Sequence, residues 1–160
     1  MIIRSLFFFI CPFIFGQLSF NGSIKPLVMF NISDKDRMDL PFRFVQLRSG
    51  YTMGAFQILV NSAQEHRWGE NQNPNIQLRE AYLTWFPSWG EVKIGKQIHA
   101  WGVADGNNPT DNLNPYDYYY MFLQGADRKI GSVSASIISY WNNWKLEGVV
   151  IRNHVSNRLP

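Results

Sequence analysis

Cysteine is almost absent from this chain, whose 160 residues include one, Cys11. It lies inside an apolar run, between Ile10 and Pro12, which is not the setting of a lipid-attached cysteine. If the first 16 residues are removed as a leader, no thiol remains. The mature chain is therefore predicted to have neither a disulfide framework nor cysteine chemistry.

Long apolar runs and clusters of charge are also missing. No run of about 18 apolar residues is present, so the sequence predicts no membrane-spanning helix. The formal net charge is +3 and the basic residues are scattered singly, which excludes a nucleic-acid partner. A glycine-rich phosphate loop, a nucleophile elbow and a metal-like spacing of His66, His99 and His154 are absent too. We therefore expect no cofactor, no metal and no enzyme activity.

The first 16 residues, MIIRSLFFFICPFIFG, differ from the rest. One basic residue, Arg4, precedes an apolar core over residues 6–15, and small Gly16 follows. This arrangement is typical of a secretory signal peptide, so residues 1–16 are predicted to be a leader and residues 17–160 the exported part. A buried N-terminal strand is the alternative.

From Gln17 onward apolar and polar residues alternate with a period of two, which indicates β-strands. A first strand is predicted over residues 17–32, although Pro26 fits only an edge or a bulge. Six more segments with this pattern follow: 44–51, 56–61, 76–86, 91–101, 132–141 and 144–150. The predicted fold class is all-β, an antiparallel up-and-down meander of about seven long strands.

The turn at residues 87–90 fixes a hairpin register. Counting outward from it pairs Leu83 with Ile94 and places the Tyr82 ring over Gly95, which repairs the gap that glycine leaves. Lys96 falls on the apolar face, where its side chain is expected to reach toward an edge of the sheet.

Long and short connections alternate along the chain. Tight turns are predicted at residues 52–55, 87–90 and 142–143, whereas longer polar segments occupy 33–41, 67–76 and 100–129. Four tryptophans lie near the short-turn side: Trp85, Trp89, Trp141 and Trp144. These features are typical of an outer-membrane β-barrel with an interfacial aromatic girdle. Because a barrel needs at least eight strands, residues 17–160 are predicted to be its N-terminal, incomplete part.

Several short motifs occur in a fixed order: Leu78-Arg-Glu-Ala-Tyr82, Ile94-Gly-Lys-Gln97, Trp101-Gly102, Asn108-Pro-Thr-Asp111, Asn114-Pro115, Trp144-Lys-Leu-Glu147 and Arg158-Leu-Pro160. In this order they resemble the porin-like outer-membrane β-barrel proteins of Gram-negative bacteria, in a branch whose substrate is mostly unassigned. The resemblance implies passive passage of small solutes, outer-membrane lipid as a partner and localisation in the outer membrane. It leaves open whether the protein forms a homo-oligomer.

Polar side chains on the inward face would then line a pore and filter ions electrostatically. The predicted pore-lining residues are Lys25, Arg48, Glu80, Lys93, Gln97, His99 and Glu147. The connection 100–129 is expected to be extracellular or folded into the lumen, with Asp105, Asp111 and Tyr116 as its constricting residues. The tyrosines at 116 and 118–120 are expected in the outer girdle, with the pore mouth as the alternative.

Three other interpretations compete with a pore. A secreted soluble β-sandwich would bind carbohydrate through tryptophans and tyrosines, and would bury residues such as Phe20, Phe56 and Ile137. A hydrolase would use a carboxylate pair drawn from Glu80, Glu91 and Glu147, of which Glu80 and Glu147 are expected to face the polar interior. A calcium site around Asp105 and Asp111 does not match the EF-hand spacing, so a loop-shaping role is favoured there.

Overall fold

A computed structural model of the chain describes residues 16–69, 75–101 and 111–160. The strands are β1 (Gln17–Ile24), β2 (Phe42–Met53), β3 (Phe56–His66), β4 (Asn75–Trp85), β5 (Gly90–Gln97), β6 (Ser132–Trp141) and β7 (Trp144–Ile151). They form one antiparallel sheet in the order β1 to β7, so the predicted all-β meander of seven strands is confirmed. The predicted leader, apart from Gly16, lies outside the described residues.

The period-two alternation gives the sheet two unlike faces. One face, called the apolar face, carries rows of large hydrophobic side chains that remain exposed: Leu18, Phe20, Ile24, Ile58, Leu83, Ile94, Ile137, Leu146 and Val150. The opposite face, called the polar face, carries Asn61, Glu80, Thr84, Gln97, Ser134 and Ser136. The alternation in the sequence therefore corresponds to a physical separation of apolar and polar side chains.

Burial is inverted relative to an ordinary soluble domain. Among the described residues, 5 hydrophobic side chains are buried, against 13 polar or charged ones. Many of the buried polar groups lie where the segment 111–131, between β5 and β6, packs on the polar face. The most enclosed part of the molecule is therefore a hydrogen-bonded layer between the sheet and this segment.

The predicted register of the β4–β5 hairpin is confirmed. Leu83 is opposite Ile94, and Tyr82 is opposite Gly95, whose φ is +135°. The turn between β6 and β7 also follows the prediction, since Asn142 has the positive φ of 52° that a two-residue hairpin requires.

The predicted first strand is too long. The strand β1 ends at Ile24, eight residues before the predicted end at position 32. Pro26 cannot donate to a ladder, and after the bond from the Lys25 amide to the Phe44 carbonyl, 2.9 Å, the chain leaves the sheet. Residues 30–37 then form a separate small loop, closed by an antiparallel bridge between Phe30 and Arg37.

A β-bulge at Arg79 breaks the alternation in β4. Asn61 pairs with Glu80, whereas the next residue of β3, Ser62, pairs with Leu78, so Arg79 is the extra residue. Arg79 and Glu80 consequently both border the polar face. The Lys96 side chain, on the apolar face, finds a partner next to the bulge: its Nζ donates to the Leu78 carbonyl at 2.6 Å.

The sheet is open: β1 and β7 are its edges, and within the described ranges they do not pair with each other. It is also single, so the second layer that a β-sandwich requires is lacking there. The residues that a sandwich would bury are exposed, at 65% for Phe20, 44% for Phe56 and 49% for Ile137. No helix in the described ranges is long and apolar enough to cross a membrane.

The tryptophans gather at the short-turn end of the sheet, as the sequence predicted. Trp85 and Trp89 meet edge to face with ring centroids 6.3 Å apart. Trp141 and Trp144 are cross-strand partners at the start of the last turn, and each is about 70% exposed. They form an exposed aromatic band at one end of the strands.

Candidate functional site

The polar face holds the side chains that the sequence assigned to a pore lining. Five of the seven border one cleft of about 200 Å³ on strands β4 to β7: Glu80, Lys93, Gln97, His99 and Glu147. The other two, Lys25 and Arg48, border a second cleft of about 340 Å³ on the β1–β2 side. Glu80 borders both clefts, so it lies between them. The seven predicted residues are thus all on one side of the sheet.

Most charges in the first cleft are balanced by a neighbour. Lys93 pairs with Glu91 at 3.0 Å, and Glu147 pairs with Lys145 at 3.3 Å. Glu80 accepts hydrogen bonds from the Asn61 side chain at 3.1 Å and from a backbone amide, that of residue 98, at 3.4 Å. The cleft therefore presents a mixed field of alternating sign.

Gln97 and His99 are buried and fixed by β6. The Gln97 amide donates to the Ser134 carbonyl at 3.0 Å and accepts from the Ser136 hydroxyl at 3.2 Å. The His99 Nε2 lies 2.9 Å from the Ser134 hydroxyl. Burial lowers the pKa of His99 below its usual 6.5, so the ring is neutral near pH 7.

The segment 111–131 is held on the polar face by Asn114, which is 1% exposed. Its side-chain oxygen accepts from the His99 amide at 2.6 Å. Its amide group donates to the carbonyls of Gln97 at 2.9 Å and Ile130 at 3.0 Å, and to the Ser132 hydroxyl at 3.2 Å. One asparagine therefore joins the end of β5, the segment itself and the start of β6.

Asp111 does not present a free charge, which differs from its predicted role on a constricting loop. Its carboxylate is buried, forms an ion pair with Lys129 and accepts from the Trp101 amide at 3.2 Å. Lys129 is 1% exposed and also donates to the His99 carbonyl at 2.9 Å. The pair therefore fixes the segment to the sheet. Asp105, the other predicted acid, lies outside the described residues.

The tyrosines lie on the polar side of the sheet, so the expected place of Tyr119 and Tyr120 in an outer girdle is corrected. Tyr118–Tyr120 form a 3₁₀ helix whose N-cap is Asp117. The Tyr120 hydroxyl donates to Glu65 at 2.8 Å, and the Tyr119 ring lies under Arg158. Burial and the Glu65 carboxylate raise the pKa of Tyr120, so the hydroxyl remains a donor.

Tyr116 borders the same layer. Its hydroxyl donates to the Asp111 carbonyl at 3.4 Å, and the Arg128 guanidinium lies 5.3 Å from its ring centroid. Its backbone pairs with Lys129 in an isolated antiparallel bridge. Tyr116 was predicted to constrict the pore. In the structure its contacts stabilise the fold of the segment 111–131.

A network around Glu65 was missed by the sequence analysis. Arg158 binds the Glu65 carboxylate with two nitrogens, at 2.8 and 2.9 Å, and reaches Asp117 at 3.3 Å. Arg79 pairs with Asp127 at 2.8 Å, and Arg43 lies 3.8 Å from the Tyr120 ring centroid. No local signal predicts these pairs, because Arg158 follows Glu65 by 93 residues.

Two further groups of side chains concern the hydrolase and metal alternatives. Glu80 and Glu147 border the same cleft, and each has a polar or charged partner. Over residues 16–69, 75–101 and 111–160, no three His, Cys, Asp or Glu side chains form a group that could hold a metal ion.

The comparisons with known proteins identify no relative. No family model, no curated protein and no solved structure matches the chain.

Proposed function

We propose that this chain is part of the wall of a porin-like outer-membrane channel, through which small solutes pass passively. The observation that carries the proposal is the inverted burial of the sheet. Apolar side chains cover its exposed face, whereas the polar and charged side chains face the covered side. In water an exposed apolar sheet face is costly, but against lipid it is stable, and the polar face then borders the solute path.

Strand length and aromatic placement support the same function. The strands have 8 to 12 residues, a range that includes the roughly 9 to 11 that a tilted strand needs to cross a bilayer. The exposed tryptophans at the short-turn end suit the membrane–water interface. The unpaired edges of β1 and β7 are sites at which further strands of a closed wall would pair.

The segment 111–131 would narrow the channel, because it occupies the polar side of the sheet. Small solutes would pass between this segment and the two clefts that Glu80 separates. No covalent step is involved. Selectivity would come from the field of fixed charges along the path.

A membrane fractionation experiment tests the location of the protein. Cells that make the complete reading frame are fractionated, and the outer membrane is analysed on a gel with and without boiling. We expect a band that needs detergent for extraction and migrates faster unheated. A soluble protein with unchanged mobility would contradict the proposal.

A charge placed on each face gives a sharper test. Ile137→Arg puts a cation on the apolar face. It should destabilise the folded, membrane-inserted state by about 2–4 kcal/mol at mid-depth and so lower the inserted fraction. Glu147→Arg is the matched control, since Glu147 lies at the same depth, next to Gly148, the partner of Ile137, but points to the polar side. Equal insertion of both variants would exclude a lipid-facing apolar face.

Ion selectivity tests the polar face. Glu80→Gln and Glu147→Gln should each shift the reversal potential in a salt gradient toward anion preference, because each removes a negative charge from the path. Asp34→Asn serves as the control, since Asp34 lies in the exposed β1–β2 connection. Reversal potentials equal to that of the control would show that these glutamates do not line the pore.

A further inference from the structure

A second hollow adjoins the cleft on the β1–β2 side. It has a volume of about 360 Å³ and shares Lys25, Gln46 and Asp127 with the neighbouring polar cleft of about 340 Å³. The two hollows are therefore neighbours that meet at these three side chains. Together they are called the amphipathic cleft.

One end of the amphipathic cleft is apolar. It is bordered by side chains of the β1–β2 connection, of the start of β2 and of the segment after the 3₁₀ helix: Pro26, Leu27, Met29, Pro41, Phe42, Phe122 and Leu123. Phe122 is 80% exposed and Leu123 41% exposed, so apolar surface is available to a ligand. An apolar ligand body of about six carbons would fit within this volume and be removed from water there.

The other end carries an excess of one positive charge. Three cations, Lys25, Arg48 and Arg79, border it, against two carboxylates, Glu80 and Asp127. Asp127 is occupied by Arg79 at 2.8 Å, and Glu80 accepts the two hydrogen bonds described above. The two acids are therefore already engaged by donors of the protein.

Two of the cations are open to a ligand. Within the described ranges the side chains of Lys25 and Arg48 make no hydrogen bond and no ion pair. Arg43, which borders the apolar end, differs from them, because it lies over the Tyr120 ring and donates to the Asp127 carbonyl. An anion at the polar end would thus meet an ammonium and a guanidinium, which favour carboxylates.

We propose that the amphipathic cleft binds a small organic anion with an apolar body and one carboxylate, of the size of hexanoate. The single charge of the ligand balances the excess positive charge, and its hydrocarbon part lies against Phe122 and Leu123. The transport role of the site rests on the proposed pore, since binding here would select the solute that enters the path. Binding itself requires only the folded sheet with the β1–β2 connection and the segment 111–131 packed on it.

Calorimetric titration of the detergent-solubilised complete protein tests the proposal, with hexanoate, acetate and hexanol as probes. Hexanoate should bind at least tenfold more tightly than acetate, which lacks the apolar body, and than hexanol, which lacks the charge. Lys25→Gln and Arg48→Gln should each lower the affinity for hexanoate by about fivefold, as expected for the loss of one solvent-accessible ion pair. Phe122→Ala should lower the affinity for hexanoate by a similar factor of about five and leave the affinity for acetate unchanged.

Matched variants of the same connection control for detergent and net charge. Lys35→Gln removes an exposed cation and Phe30→Ala removes an exposed ring, and neither residue borders the cleft. Both should bind hexanoate like the unaltered protein. The proposal would be overturned if hexanoate bound no more tightly than acetate or hexanol. It would also be overturned if Lys25→Gln and Lys35→Gln lowered the affinity for hexanoate equally.

Planar-bilayer recordings separate this inference from the proposed pore. If the protein conducts ions but hexanoate neither binds to it nor blocks it, the pore proposal stands and the binding-site proposal is wrong. A protein that binds hexanoate as expected but conducts no ions would retain the cleft and exclude the pore. Conduction with transient block by hexanoate, reduced in Arg48→Gln, is the result expected when both are correct.

Discussion

Replacement of Arg158 should loosen the segment 111–131 from the sheet. Arg158 holds the Glu65 carboxylate through two nitrogens and reaches Asp117, and its backbone pairs with that of the segment. The Arg158→Gln variant leaves both carboxylates without their cation. Hydrogen bonding to Glu65 raises the pKa of Arg158, which shows that the guanidinium charge is stabilised at this place.

The magnitude follows from the burial of the partners. The side chains of Glu65 and Asp117 are 6% and 4% exposed, whereas that of Arg158 is 30% exposed. Breaking a fully buried pair costs about 3–5 kcal/mol, and an exposed pair contributes at most about 1 kcal/mol. Since one partner remains partly solvated, we expect a cost of about 2–3 kcal/mol.

Amide hydrogen exchange measures this cost locally. The Tyr118 amide donates to the Arg158 carbonyl at 2.9 Å, and the Arg158 amide donates to the Tyr116 carbonyl at 3.0 Å. A loss of 2–3 kcal/mol should speed exchange at these amides by about 30- to 150-fold if they exchange by local opening. Amides in the middle of β3 should exchange as before.

Two further variants make the test specific. Lys145→Gln breaks an exposed pair with Glu147, so it should cost less than about 1 kcal/mol and leave these amides protected. Adding Glu65→Gln to Arg158→Gln removes the uncompensated buried charge and should restore much of the protection. If Arg158→Gln exchanges like Lys145→Gln, the network does not hold the segment, and the reasoning is refuted.

Three other perturbations test the polar layer and the register. Asn114→Ala removes four hydrogen bonds from a buried site and should lower the free energy of unfolding by about 2–4 kcal/mol, measured by urea titration. Because the folded pKa of His99 lies below its unfolded value, stability should fall as the pH drops below about 6.5, and the fall in melting temperature between pH 7.5 and 5.5 should be smaller in His99→Gln. Gly95→Ala should be strongly destabilising, since an added Cβ would contact the Ala81 carbonyl oxygen and the φ of +135° disfavours a side chain, whereas Gly148→Ala should be tolerated.

Each of these predictions has a result that contradicts it. An Asn114→Ala protein as stable as Asn143→Ala, which alters an exposed turn, would mean that the asparagine bonds are not needed. An unchanged pH response in His99→Gln would assign the titration to other groups. Equal melting temperatures for the two glycine variants would mean that the backbone at position 95 relaxes easily.

The sequence by itself determined the strands and their faces. A period of two can be detected from neighbouring residues, so it predicted seven strands and the two-faced sheet. Short turns set the hairpin register: the turn at residues 87–90 placed Tyr82 over Gly95, and Asn142, with its positive φ, set the β6–β7 turn. Local chemistry was sufficient wherever partners are joined by a short turn.

Tertiary structure decided which charges are free. Asp111 had the appearance of a constriction charge, but Lys129 neutralises it in the folded segment, and the bulge at Arg79 moves a charge to the polar face against the alternation. The pairing of Arg158 with Glu65 spans 93 residues. Such contacts depend on how a long connection returns to the sheet, and this path is determined by many weak interactions that no local pattern in the sequence encodes.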